Sequence, residues 1–279
     1  MLPRKLGVAV MRKLLRSVGA GEGRGMDKHT PQRVERDNAK FEEWRKQNPT
    51  KQFKDYFAEG VKPMIDRGKV HASLGGNLIE GSHGEVGQGF LRVLIARGLK
   101  PGDVCVDYGC GTLRLGVHVM KYLRAGAYWG MDVAEFLLEE GRALVGGDVL
   151  AERRPNLRVI SPEAVAEAAA CKPAMVFSAK VLLHVHPDEL GEYLHNIMTM
   201  ISTHGQAIIL SKWNDGKTLQ YGGKGWAHGL SVMQDMVAPW GGEIIVLKQE
   251  AYRLDGFDTS VKHGTLRLTH RASPFATGA

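Results

Sequence analysis

The 279-residue chain has little cysteine: Cys105, Cys110 and Cys171 are the three, and they show no Cys-x-x-Cys spacing. An odd number cannot pair completely, so neither a disulfide framework nor a structural zinc site is suggested, and a reducing compartment is expected. Long apolar runs are missing too. No stretch approaches the roughly 18 uninterrupted apolar residues of a membrane span. The N-terminal run Leu6 to Met11 stops at Arg12-Lys13, short of a secretory core and without an Ala-x-Ala cleavage site. Secretion is not expected. Aromatic residues make up only 7%, but the 43% apolar content is enough for a real core and excludes disorder as the main state.

An excess of acid is also absent. The chain carries 37 Lys+Arg against 30 Asp+Glu, a net charge of +7. Such a balance alone suggests nucleic acid or an anionic membrane surface. Its location changes the meaning. Residues 1–25 hold six basic side chains (Arg4, Lys5, Arg12, Lys13, Arg16, Arg24) and one acid, Glu22, which is +5 of the +7. The body is close to neutral, so nucleic acid is not the expected partner. Within the leader, Leu6, Val10, Leu14 and Val18 recur at steps of four, the pattern of a basic amphipathic helix suited to an anionic membrane surface. An inert or organelle-targeting leader fits equally, as does a true start at Met26.

Thr30-Pro31 reads as an N-cap and first helical residue, followed by a helix through Gln47 with Val34, Phe41 and Trp44 as its apolar spine. A second helical pattern, Phe53, Tyr56, Phe57 and Val61, is expected to close at Gly60 and Pro63. The glycines from Gly75 to Gly89 predict a loop, and a helix is expected from about Phe90 to Arg97. Beyond Pro101, strands at Val104–Asp107, Ala127–Met131, Arg158–Ile160, Met175–Phe177 and Gln206–Leu210 alternate with helices at Leu113–Leu123, Ala134–Leu144, Pro162–Ala170 and Pro187–Ile201. This predicts an α/β fold, a Rossmann-like doubly wound and mostly parallel sheet. Glu243–Gln249 and Thr265–Thr269 should add an antiparallel pair at its edge. The expected organisation is a leader (1–25), an N-terminal helical cap (26–98) and a sheet domain (99–279).

The informative segment is Val106-Asp-Tyr-Gly109-Cys110-Gly111-Thr-Leu-Arg114, after a strand and at the head of a helix. Glycines at 109 and 111 let the backbone turn sharply and approach a ligand closely. Asp132, at the end of the next strand, is placed for the hydroxyls of a nucleotide ribose. A dinucleotide fingerprint would need a third glycine where Arg114 stands. Asp107, two residues before the first glycine, would repel a pyrophosphate and attract a cationic cofactor.

Asp107-x-Gly109-x-Gly111, the following Asp132, the strand ending Phe177-Ser178 and the late antiparallel pair resemble class I S-adenosylmethionine-dependent methyltransferases over roughly residues 99–270. The resemblance implies S-adenosyl-L-methionine as cofactor. By it, Asp107, Gly109, Cys110 and Gly111 would border the methionine part, and Asp132, with Val133 beside it, the ribose. Glu163, in the Ser161–Ala164 turn, would lie near the adenine, and Ser178 would close the site at the fourth strand's end. His184 is the candidate catalytic base because imidazole titrates near neutrality; a histidine packed at the head of the next helix is the competing reading. His186, before Pro187, suits a helix cap. His184-x-His186 with Asp188 lacks convergent metal-ligand geometry, so no metal is expected. Phe177-Ser-Ala-Lys180 lacks the Asn/Asp-Pro-Pro-aromatic motif of exocyclic amino methyltransferases of nucleobases, and Ser178 replaces the aspartate of the metal-dependent catechol type.

The expected function is therefore methyl transfer to oxygen, or to nitrogen, of a small-molecule acceptor by a cytoplasmic enzyme. An RNA or protein methyltransferase and a non-catalytic cofactor-binding protein are the alternatives. Trp44, Phe53, Tyr56 and Phe57 are expected to wall the acceptor pocket, under a mobile loop from Trp213 to His228.

Overall fold

The structure, a computed structural model, describes residues 30–66, 81–201, 204–221, 223–253 and 260–276. The leader and its expected amphipathic helix lie outside them. Helix α1 (Pro31–Gln47) begins as its sequence dictates, with the Thr30 hydroxyl accepting the Arg33 N–H. Helix α2 (Phe53–Asp66) runs on through Gly60 and Pro63, where the sequence predicts its end. Proline removes one donor, to the carbonyl of Glu59, but both residues are exposed, so the freed carbonyl is open to solvent. Helix α3 (Gly81–Ala96) occupies much of the predicted glycine loop. Gly84, Gly87 and Gly89 are buried, and an added Cβ on Gly87 would collide with the His118 ring, so the small residues are there for close packing rather than for turning.

The rest alternates as expected: β1 (Cys105–Tyr108), α4 (Gly116–Tyr122), β2 (Tyr128–Asp132), α5 (Glu135–Val145), α6 (Gly147–Arg153), β3 (Asn156–Val159), α7 (Pro162–Ala170) and β4 (Met175–Ala179). Two single 3-10 turns, Leu182–His184 and Pro187–Glu189, lead into α8 (Leu190–Ile201). Then come β5 (Gln206–Asn214), β6 (Leu219–Gln220), β7 (Trp226–Gly229), α9 (Leu230–Val237), β8 (Gly242–Arg253) and β9 (Ser260–His270).

The chain divides into two compact units, and the division falls inside β4, between Phe177 and Ser178. In the first, residues 61–177, β1 pairs in parallel with both β2 and β4, and β2 with β3. All residues of β1 and β2 are buried, as strands covered on both faces require. The second unit joins residues 24–60 to 178–279. There β5 pairs in parallel with β7 and antiparallel with β9, which pairs antiparallel with β8. The architecture is the Rossmann-like, mostly parallel α/β arrangement with an antiparallel strand pair that the sequence predicts.

The predicted loop from Trp213 to His228 has strand at both ends and at Leu219-Gln220, with non-strand backbone at the other described residues between. Trp213 is fully buried and pairs with His228 on β7 and Lys262 on β9, while Leu219-Gln220 and Trp226-Ala227 form a short hairpin. Trp226 packs on Phe41 and Phe53, its ring centroid 4.8 Å from that of Phe53. Burial of these three rings holds α1 and the first part of α2 in this unit. Among the described residues no helix is long and apolar enough to cross a membrane.

Candidate functional site

The glycine segment lies at the carboxyl end of β1, where open α/β sheets bind their ligands. Gly109, Gly111 and Leu113 have φ of 84°, 54° and 63°. Two of the three left-handed positions use glycine at no steric cost, whereas Leu113 is held there fully buried. The sequence predicts a helix from Leu113; it starts instead at Gly116, because the loop is still turning at Leu113. The Gly109 and Cys110 N–H groups donate to the Met131 carbonyl at 2.7 and 3.0 Å, and Gly111 N–H donates to Asp132 Oδ2 at 2.8 Å. The loop is thus clamped to the end of β2. The other Asp132 oxygen accepts from Ala134 N–H at 3.2 Å.

Asp107, in β1, is buried, and its Oδ2 accepts the Tyr128 hydroxyl at 2.8 Å. Sequence reasoning missed Tyr128 and Gly116. A Cβ on Gly116 would fall inside the Tyr128 hydroxyl and stand 3.0 Å from Asp107 Oδ2. The close-packing glycine absent at position 114 is therefore supplied two residues later, beneath a carboxylate–phenol pair. A tyrosine opening a fully buried strand, with a glycine at the start of the preceding helix, was the available signal.

Burial pushes Asp107 up to about 8, against the Tyr128 hydrogen bond and with the Asp132 charge adding to the rise. Burial likewise raises Asp132 to about 6, opposed by its backbone N–H donors. An acid with a raised folded pKa adds stability that is fully present below its unfolded pKa and is lost as pH rises through the folded one. Thermal melts of the ligand-free protein should therefore show Tm falling from pH 5 to pH 8.5, with a smaller fall in Asp107→Asn; a flat profile would contradict this burial of the pair.

Of the remaining expected cofactor residues, Val133 and Glu163 lie in the first unit and Ser178 in the second. Val133 follows Asp132 with its side chain open to solvent, 39% exposed, an unusual position for valine. Glu163 stands exposed in the first turn of α7, where hydrogen bonds from its own N–H and from Ser161 lower its pKa, while Ser161 caps the helix by accepting Ala164 N–H at 3.2 Å. Ser178 is fully buried in β4 and accepts the Tyr193 hydroxyl at 2.8 Å.

In the second unit, His184 closes the first 3-10 turn, its ring 5.0 Å from that of Phe57 and its Nδ1 2.8 Å from the Lys224 carbonyl. A carbonyl only accepts, so Nδ1 carries the proton, and the neutral ring holds its lone pair on Nε2. His186 is structural, as its place before Pro187 predicts: Nδ1 accepts Asp188 N–H at 3.2 Å, and the ring packs on Phe53 and Trp226. Phe53 is 3% exposed and belongs to the core of this cluster; of the expected wall residues, Trp44, Tyr56 and Phe57 are partly open. Among the described residues no group of three or more His, Cys, Asp or Glu is placed to hold a metal.

No protein-family model matches the sequence, and no curated protein matches it. Among solved structures, the chain is similar to magnesium protoporphyrin IX methyltransferase (ChlM) from Synechocystis PCC 6803 with bound SAM, at 15% identity, 79% of this chain and 98% of that one, with a TM-score of 0.52. Against the same protein with bound SAH, identity is 15%, coverage 78% and 97%, and the TM-score 0.51. The fold is that of a class I S-adenosylmethionine-dependent methyltransferase. Within this methyltransferase fold, the two buried carboxylates and the left-handed glycines occupy the carboxyl ends of β1 and β2.

Proposed function

We propose that the protein is an S-adenosyl-L-methionine-dependent methyltransferase acting on oxygen, or on nitrogen, of a small-molecule acceptor. The observation that carries the reading is the Gly109–Gly111 turn clamped to Asp132 beside buried Asp107. The donor set fits the cofactor: backbone that can approach closely, two carboxylates suited to an ammonium, a sulfonium or ribose hydroxyls, and an open apolar side chain at Val133 for a base. Asp107, Gly109, Cys110 and Gly111 would hold the amino-acid part, Asp132 and Val133 the ribose and its surroundings, and Glu163 and Ser178 the flanks. Glu163 is the weakest fit, since its carboxylate already serves the cap of α7.

The cofactor, when bound, supplies an electrophilic methyl group on a sulfonium. The chain's own work is to position, to keep water out and to take a proton. His184 is the proposed base: the Lys224 carbonyl fixes its tautomer, so Nε2 is the atom that receives the acceptor's proton. The near-neutral body supports a small molecule over RNA as acceptor.

Calorimetry with S-adenosylhomocysteine tests the cofactor site; the absence of binding would overturn the reading. Because ionised Asp107 and Asp132 attract the cofactor's ammonium, affinity should rise between pH 5 and pH 8 as both lose their protons. Once an acceptor is found by screening metabolites with labelled methyl donor, His184→Gln should lower kcat by about 100-fold or more without changing cofactor affinity. An unchanged kcat would remove His184 from the mechanism.

A further inference from the structure

The hairpin of β6 and β7 holds the turn that carries His184 at two points, both within the second unit. At its tip the Lys224 carbonyl accepts His184 Nδ1–H at 2.8 Å, and farther on His228, fully buried in β7, donates Nε2–H to the Val185 carbonyl at 3.0 Å. A carbonyl only accepts, so each bond fixes a tautomer. The His228 bond is anchored by the sheet, where His228 stands opposite Trp213 on β5. The Lys224 bond comes from a turn, closed by Tyr221 N–H donating to the Gly225 carbonyl at 2.8 Å. Backbone rich in glycine loses much entropy on ordering, so a carbonyl on it aims reproducibly only if something nearby is anchored.

The Lys224 side chain supplies that anchor. It is half-buried, and its ammonium lies 4.2 Å from the centroid of the Tyr56 ring and 5.5 Å from that of Phe57, with Nζ donating to the Tyr56 carbonyl at 3.4 Å. Ring faces attract a cation placed this way. The Phe57 ring packs on His184 as well, 5.0 Å between centroids, so one ring meets both the imidazole and the ammonium. Burial lowers the Lys224 pKa, and the Asp37 carboxylate on α1 opposes the fall. Asp37 also lies so close to the turn that a Cβ on Gly223 would collide with it. Gly60 makes the room: a Cβ there would stand 2.5 Å from Lys224 Nζ. Inside α2 a glycine otherwise only weakens the helix.

We infer that Lys224 is the positioning residue of the proposed base: its ammonium, seated on Tyr56 and Phe57 in the space left by Gly60, aims the Lys224 carbonyl at His184 Nδ1 and so commits Nε2 to receiving the acceptor's proton. The catalytic consequence rests on the reading of His184 as the base; the seat and the tautomer it sets do not. Two residues that no sequence motif marks, Gly60 and Lys224, thereby govern the state of the imidazole.

The test follows the His184 ring nitrogens by NMR in the full chain at alkaline pH, where the imidazole is neutral. In the wild type the two shifts should be widely separated, with the proton on Nδ1. Lys224→Ala keeps the carbonyl and removes its anchor. Gly60→Ala keeps the lysine, favours the helix and pushes the ammonium off its seat; only the far end of a flexible side chain has to move, so an effect there is not a folding defect. In both variants the ratio of the Nδ1–H to the Nε2–H form should fall about fivefold, the scale of one half-buried cation–π contact, and the two shifts should draw together. With an acceptor in hand, kcat should fall by a similar factor. A wild-type ratio in either variant, or a wild-type ring protonated on Nε2, would overturn the lock. A lowered ratio with an unchanged kcat would uphold the lock and remove His184 from the mechanism. S-adenosylhomocysteine calorimetry on the wild-type chain tests the methyltransferase reading separately, since a failure to bind cofactor leaves the tautomer measurement standing.

Discussion

Asp132→Ala is expected to weaken S-adenosylhomocysteine binding at least 100-fold in calorimetry, about 2.7 kcal/mol of binding free energy. The size follows from what one carboxylate does in two states of the protein. Without ligand, one oxygen accepts Gly111 N–H at 2.8 Å and the other accepts Ala134 N–H at 3.2 Å. Removing it leaves two donors at the site without their acceptor, and the turn that carries Gly109 and Gly111 loses its clamp to β2. The variant therefore loses the proposed ribose contact together with the preorganisation of the loop, and preorganisation is what binding would otherwise have to supply. Asp132→Asn keeps one oxygen acceptor and should fall between the two. A dissociation constant within threefold of wild type for the alanine variant would show that the β2 end does not hold the cofactor.

Gly116→Ala should be the most damaging single methyl in the first unit. Its Cβ would enter the space of the Tyr128 hydroxyl, and Tyr128 cannot swing aside because its side chain is 1% exposed among packed neighbours. Either α4 moves off β1 and β2 or the Tyr128–Asp107 hydrogen bond breaks and leaves both polar groups buried without it. Overpacking and an unsatisfied buried pair together should cost about 3 kcal/mol or more, a drop in Tm of roughly 6–12 °C in a thermal melt. The cofactor-free Tm of Gly116→Ala,Tyr128→Phe should recover part of this loss, since the added methyl no longer meets a hydroxyl. An alanine variant that melts like wild type would mean that α4 is free to shift and that the pair is not held by it.

The strand and helix alternation was legible because buried parallel strands here are short apolar runs, as at Cys105–Tyr108 and Met175–Ala179, and because Thr30, Ser161 and Pro162 punctuate helices as their chemistry requires. The misreadings share a cause. In the glycine stretch 75–89 the part from Gly81 on is helix, where Gly87 is glycine because that helix lies against His118, and Pro63, a local stop signal, sits where a missing donor is harmless. In the stretch 213–228, Asn-Asp-Gly and the paired glycines do mark bends and turns, at 215–217 and 223–224, while the pairing of Trp213 with Lys262 comes from a strand far along the chain that no local pattern reveals. The glycine turn between Asp107 and Asp132 was legible; the partnership of Tyr128 with Asp107 was not, because only the packing of α4 shows what Gly116 is for. His184 stands out in the sequence by its chemistry alone, and the carbonyl of Lys224 that sets its tautomer lies 40 residues on.

The second unit is stitched from the two ends of the chain, and this has a consequence for synthesis on the ribosome. Asn38 and Gln220 share a pair of side-chain hydrogen bonds across 182 residues of sequence, and Phe41 and Phe53 find their cover in Trp226. At translation speeds of roughly 5–20 residues per second, α1 and α2 wait about 10–40 s in the cell before that cover emerges. During this interval two amphipathic helices present Phe41, Trp44 and Phe53 to solvent without the ring that later covers them. The nascent protein should therefore depend on chaperone capture early in its synthesis, and a pulse-labelled chain stalled before Trp226 should be degraded much faster than the finished one.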